Sequence, residues 1–202
     1  MEPDFWNGRY SDASYLFGTA PAAPLASIID QLPKTGRALS LADGEGRNSV
    51  FLAKHGLSVT AFDFAENALV KARQLAKDVG ADVSFHQADI TAWDWSAEPY
   101  DLVAGIFFQF LPPDLRAQVF DGILDAIAPG GTLYILGYRP EQIGRGTGGP
   151  PYVENTYTED LLRDSFGTLD IQRLRSWDED LSEGRGHNGA SALIELLATK
   201  TR

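Results

Sequence analysis

The sequence contains no cysteine. A disulfide framework, a thiolate nucleophile and a thiolate metal site are thereby excluded. Positive charge is also scarce: 17 Lys and Arg stand against 28 Asp and Glu, a formal net charge of −11. An acidic surface repels phosphate backbones and anionic headgroups, so nucleic acid and membrane surfaces are poor partners. No apolar run approaches the roughly 20 residues that cross a bilayer. Residues 1–10 show neither the basic region nor the apolar stretch of a secretory signal. Internal repeats and low-complexity tracts are lacking as well. These absences lead us to expect a cytoplasmic globular protein without a resident metal. What is present is 202 residues, 44% of them hydrophobic, which suits one domain around one core.

An aromatic lead segment, residues 1–24, comes first, with Phe5, Trp6, Tyr10, Tyr15 and Phe17. A short helix is expected over residues 25–32, closed by Pro33 and Gly36. Strands and helices then alternate. Residues 37–42, 57–63, 83–86, 102–108 and 132–137 read as strands, and 48–55, 66–79 and 113–127 as helices. Such alternation implies right-handed crossovers and a parallel sheet covered on both faces. The tail differs. A short helix over 159–164 precedes two strands, 168–177 and 190–199, that read as an antiparallel pair. Two long loops, 139–157 and 178–189, remain, and loops of that length in a small domain usually serve function.

Four motifs carry chemistry. Leu39-Ser40-Leu41-Ala42-Asp43-Gly44-Glu45-Gly46-Arg47-Asn48 runs from a strand through Gly-x-Gly into a helix. Glycines there admit a ligand close to the backbone, and the helix start offers free N–H donors, although an ordinary tight turn reads the same way. Asp63, 19 residues after Gly44, ends the next strand. It is placed to accept two ribose hydroxyls or to cap the helix that follows. Gln87-Ala88-Asp89-Ile90 puts a carboxylate beside an apolar residue, as an adenine ring would need, although taken alone Asp89 reads better as an ordinary loop residue. Tyr100-Asp101-Leu102-Val103 opens the central strand, and Asp101 reads as structural. A dinucleotide fingerprint needs a third glycine, and position 49 is Ser.

In order and spacing these motifs resemble the class I S-adenosylmethionine (SAM)-dependent methyltransferases along nearly the whole chain. The likeness sharpens toward the tellurite-resistance (TehB-like) and thiopurine methyltransferase group through Tyr15-Leu16-Phe17-Gly18-Thr19, Asp43–Asn48, Gly146-Thr147-Gly148-Gly149-Pro150-Pro151 and Glu183-Gly184-Arg185-Gly186-His187. It implies a doubly wound, Rossmann-like α/β fold: a seven-stranded sheet, mostly parallel with an antiparallel C-terminal strand and helices on both faces. It implies SAM as cofactor, S-adenosylhomocysteine as product, and a small-molecule acceptor, with a thiol or chalcogen oxyanion favoured. The expected cofactor set is Tyr15, Phe17, Gly18, Ala42, Asp43, Gly44, Gly46, Arg47, Asp63, Phe64, Asp89, Ile90, Gly105 and Phe107. Gln109, Arg139 and His187 are expected at the acceptor, His187 as the candidate base and Arg139 at the mouth of the site, with residues 1–24 as a lid and the two long loops on the substrate side; solvated side chains are the alternative for His187 and Arg139, and core aromatics for the lead segment. The chain departs from the pattern at Ser40, where an acidic residue is usual, at Ala42 for the first glycine, and at Gln109, where relatives often carry His. A SAM-binding sensor without transfer activity is the main alternative. An NAD-dependent oxidoreductase is a weaker one, opposed by Ser49.

Overall fold

β-Branched and apolar stretches form seven strands in the computed structural model, which describes residues 3–202. These are β1 (Arg37–Leu41), β2 (Ser58–Asp63), β3 (Val83–Gln87), β4 (Tyr100–Ile106), β5 (Ile127–Tyr138), β6 (Asp170–Glu183) and β7 (His187–Thr199). Stretches with helical spacing form α1 (Pro3–Arg9), α2 (Ala23–Ser27), α3 (Arg47–Lys54), α4 (Glu66–Val79), α5 (Pro113–Ala126) and α6 (Glu159–Phe166). The strands make one sheet in the order β3-β2-β1-β4-β5-β7-β6. The first five run parallel, and β7 lies antiparallel between β5 and β6. This is the expected seven-stranded arrangement.

Alternate residues of each central strand feed opposite faces. Leu39, Leu41 and Val103 join Val119, Phe120 and Ile123 of α5 and Leu162 and Phe166 of α6. Ala38, Leu102 and Ala104 join Leu25 of α2 and Leu52 of α3. A strand buried on both sides has to be apolar throughout, which explains the unbroken run in β4. In α4 the residues at helical spacing, Ala68, Leu69, Ala72, Leu75 and Ala76, are all buried, and Gly80 ends the helix at φ +65°. Each fully buried leucine in these layers contributes about 1.5–3 kcal/mol relative to exposure.

The order of strands reverses between β1 and β4, so the crossovers leave a crevice at the carboxyl edge of the sheet. Two readings of the sequence need correction. The stretch 25–32 is not one helix: α2 ends at Ser27 and a separate 3₁₀ turn spans Ile29–Gln31. Residues 178–189 are not a loop. β6 and β7 stay paired from Asp170↔Thr199 to Glu183↔His187, so the hairpin is long and its turn short. β6 lies at the edge of the sheet, where a strand tolerates polar side chains, and its acidic run hid it. Among the described residues, no helix is long and apolar enough to cross a membrane.

Candidate active site

At the end of β1 the backbone turns sharply, with Ala42 at φ +45° and Gly44 at φ +61°. Asp43 points inward. Its Oδ1 accepts from Ser40 Oγ (2.7 Å) and Ser49 N (3.2 Å), and Oδ2 accepts from Ser49 Oγ. Burial pushes the Asp43 carboxyl up to about 6, against the pull of these donors. Beside it, Asp63 ends β2. Gly44 N donates to its Oδ2 and Ala65 N to its Oδ1, each at 2.8 Å. Burial raises the Asp63 carboxyl despite those amides. Ala65, not Asp63, is the N-cap of α4.

Glu45, 3% exposed, organises the lead segment. It accepts from Leu16 N (2.7 Å) and Phe17 N (3.4 Å) and pairs with Lys71 Nζ (2.7 Å). Phe17 is thereby carried to 4.4 Å from the His187 ring. At the hairpin turn Glu183 pairs with Arg47 Nη1 (2.8 Å) and accepts from Ala23 N (2.9 Å). Loop 139–157 folds back onto the hairpin through Gln142. Its Nε2 donates to Thr147 Oγ1 (3.0 Å) and Gly148 O (2.9 Å), and its Oε1 accepts from Ala192 N (2.8 Å).

These elements enclose a cavity of about 680 Å³ along the carboxyl edge of the sheet, within the usual range for small-molecule sites. Of the residues expected from the sequence, Phe17, Ala42, Asp43, Gly44, Arg47, Asp63, Phe64, Asp89, Ile90, Phe107, Gln109 and His187 line it. Asp89 is exposed and its Oδ1 accepts from Thr91 N (2.8 Å) and Thr91 Oγ1 (2.7 Å). Phe107 sits at φ +56° after β4, its ring 4.4 Å from His187 and 4.8 Å from Tyr138.

Residues 38–131 match the model of a family described as a methyltransferase domain. That stretch of the chain, from β1 to the start of β5, is similar to a methyltransferase domain. A trans-aconitate 2-methyltransferase of Streptomyces coelicolor is 35% identical over 114 residues, which cover 54% of this chain and 37% of that protein. The chain thus spans less than half the length of the curated relatives it matches. Among solved structures, TehB from Haemophilus influenzae superposes with a TM-score of 0.73 over 98% of this chain and 67% of that one, at 19% identity. The magnesium protoporphyrin IX methyltransferase of Synechocystis PCC 6803, solved with bound SAM, gives a TM-score of 0.67 over 89% and 77% at 17% identity. At these identities the structures share the fold.

The cavity offers open backbone and acceptor groups to a ligand. At Gly44 the bare backbone passes beneath Tyr10, and a Cβ there would come 3.1 Å from its Oη. The carboxylate of Asp63 keeps lone pairs beyond its two amides. Ser49 is fully buried, its hydroxyl tied to Asp43 and Gly46 O, so the third-glycine position of a dinucleotide loop is filled by packing.

Five expected residues stand off the cavity. The Tyr15 hydroxyl donates to Lys71 O (3.1 Å), and its ring packs on Val50, Leu75 and Ala76. Gly18 touches the hairpin turn at Gly184. Gly46 lets α4 approach, since a Cβ there would meet Ala72 at 2.8 Å. Gly105 makes space for the Phe108 ring. Arg139 is drawn away to Asp178 and Glu141, and Arg145 joins the same Asp178. Gln109 reaches the cavity wall but its amide braces the backbone, donating to Tyr138 O (2.7 Å) and Asn155 O (3.3 Å). Sequence reasoning did not single out Arg9, Asn48, Tyr138 and Asn155, which also line the cavity. Tyr138 was legible as the residue just past the expected fifth strand. Asn155, whose Oδ1 is buried without a partner, carried no sequence signal.

Proposed function

We propose that this chain transfers the methyl group of SAM to a small acceptor held in the same cavity. The observation that carries this reading is the spread of the lining residues along the sheet edge. Asp63, Phe64, Asp89 and Ile90 lie toward β2 and β3, while Tyr138, Asn155 and His187 lie toward β5 and β7. One cavity therefore has a nucleoside-suited end and a second, separate polar end.

In this reading Asp63 accepts the ribose hydroxyls, and Asp89, Ile90 and Phe64 frame the adenine. Ala42, Gly44 and Arg47 meet the amino-acid part, and Phe107 and Phe17 lie beside the sulfonium. SAM, when bound, supplies a methyl carbon activated by the positive sulfur. An aromatic face attracts a desolvated cation by about 1–2 kcal/mol. The protein contributes alignment and exclusion of water. Phe5, Trp6, Arg9, Tyr10 and Phe17 of the lead segment and the Gly148–Tyr152 stretch of the loop line the cavity, and in this reading the chain is one domain in which the lead segment, residues 1–24, acts as a lid. The acceptor is small and polar, a thiol or chalcogen oxyanion. A net charge of −11 disfavours a nucleic acid.

The test is an assay for S-adenosylhomocysteine release across thiols, selenite, tellurite, hydroxylated aromatics, small carboxylates, peptides and RNA. Turnover with a small molecule is expected. Turnover confined to peptides or RNA would contradict the reading, and SAM binding without turnover on any acceptor would favour a sensor.

A further inference from the structure

Glu183 and His187 face each other across the hairpin turn, paired in register at the end of β6 and the start of β7. Both side chains are buried, with residue exposures of 9% and 6%. Glu183 Oε1 accepts from Ala23 N, and Oε2 accepts from Arg47 Nη1 and stands 3.5 Å from His187 Nδ1. Although burial opposes ionisation, His187, Arg47 and the Ala23 amide together hold the Glu183 carboxyl down at about 2. An ionised carboxylate can only accept, so the imidazole nitrogen that faces it is the one that gains by carrying the proton. Nε2, on the far side of the ring, then keeps its lone pair.

The ring has little freedom to turn. Phe17 and Phe107 each stand 4.4 Å from it and Tyr138 stands 5.6 Å away. The charged and titratable groups around it are Glu183 from β6, Arg47 from α3, Arg9 from α1 and the Tyr138 phenol from β5. Burial lowers the His187 pKa, the two arginines add to that, and Glu183 opposes it. Burial raises the Tyr138 phenol, which stays protonated. His187 is accordingly neutral at pH 7.

We propose that Glu183 is a positioning residue that holds His187 with Nδ1–H toward its carboxylate and Nε2 as the proton acceptor of the cavity, and that the methyl acceptor is a thiol or phenolic hydroxyl, still protonated at neutral pH. This rests on the methyltransferase reading above and, of its acceptors, keeps the thiol, sets the oxyanion aside and adds a phenolic hydroxyl of the same protonated class. The acceptor X–H bond breaks, the proton passes to Nε2, and the electron pair stays on X to form the bond to the methyl carbon. The pair of the old carbon–sulfur bond leaves with sulfur. The imidazolium so formed carries its two protons between Glu183 and the product. An oxyanion or carboxylate, already ionised at pH 7, gains nothing from such a base.

Two measurements test this. Long-range ¹⁵N–¹H correlation NMR on the wild-type protein without cofactor reads the His187 tautomer directly. Nδ1–H is expected, and an Nε2–H tautomer overturns the proposal. In Glu183→Gln, Arg47 keeps a carbonyl partner while the negative charge is lost. The tautomers then mix, and the His187 pKa falls because a charge that raised it is gone. kcat with a thiol or phenol drops on the order of tenfold or more, and the acid limb of its pH profile moves to lower pH. An unchanged tautomer and pKa in Glu183→Gln would overturn the assignment even if activity fell. Calorimetric titration of the wild type with S-adenosylhomocysteine separates the two levels: no binding sinks the methyltransferase reading, whereas binding with the wrong tautomer sinks only this one.

Discussion

Ser40 Oγ donates to Asp43 Oδ1 over 2.7 Å, tying the end of β1 to the turn that leads into α3. Position 40, where the resemblance to methyltransferases leads one to expect an acidic residue, is Ser, and a carboxylate stands three residues later in the same hydrogen-bonded hub with Ser49. The turn is therefore not left without its charge.

That hub predicts a pH signature. The fold raises the Asp43 carboxyl from 3.8 to about 6, so the folded state binds its proton more tightly than the unfolded chain. The resulting stabilisation is fully present below pH 3.8 and is lost as pH rises through about 6. Asp43→Asn removes the titration. Urea unfolding at pH 4 and pH 8 should show the wild type losing on the order of 3 kcal/mol more than the variant over that interval. Parallel stability–pH curves for the two proteins would refute it.

Asp63→Ala should weaken S-adenosylhomocysteine binding by roughly 2–3 kcal/mol, the scale of a lost charge-assisted hydrogen bond. The same change also frees Gly44 N and Ala65 N, so circular dichroism must accompany the calorimetry. A folded variant with wild-type affinity would reduce Asp63 to a brace for the β1 turn.

Much of this site was legible because its residues lie at fixed offsets from strand ends. Gly44 lies three residues after β1, Asp63 is the last residue of β2 and Asp89 lies two residues after β3, so finding the strands found the residues. Arg139 misled for the opposite reason. Its charge suggested a role at the mouth of the site, but Asp178 of β6 captures it, and that pairing depends on a hairpin the sequence disguised. Asp178, Glu179, Asp180 and Glu183 broke the apolar alternation of edge strand β6, and Gly184, Gly186 and Gly189 made its turn and the start of β7 read as loop. Tyr15, Gly18 and Gly46 sit in motifs of the right kind and Gly105 near the end of β4, yet they serve packing between elements, which spacing alone does not distinguish from ligand contact. Asn155 reaches the cavity only because loop 139–157 folds back through Gln142.

The lead segment should respond to cofactor in two parts. Leu16 N and Phe17 N are held by buried Glu45, so their exchange with solvent should be slow with or without S-adenosylhomocysteine. Residues 5–11, with Tyr10 above Gly44, should gain protection when it binds. Hydrogen-exchange mass spectrometry reads both. Equal protection of residues 5–11 in the two states would mean that the segment is docked permanently and is no lid.

Gly184→Ala should destabilise the domain by roughly 1–3 kcal/mol. Gly184 has φ +68°, and a Cβ there would lie 2.5 Å from Leu16 O and 2.6 Å from Gly18 N, so the turn and the lead segment would have to part. Thermal denaturation measures the cost. A melting temperature equal to that of the wild type would mean that the turn does not bear on residues 16–18.

The central claim is that the cavity at the carboxyl edge of the sheet is a SAM site. Calorimetric titration of the wild-type protein with S-adenosylhomocysteine and, separately, with NAD addresses it most directly. The account predicts one-to-one binding of S-adenosylhomocysteine and no measurable heat with NAD, because Ser49 fills the position a dinucleotide loop leaves to glycine. Binding of NAD without binding of S-adenosylhomocysteine would contradict it.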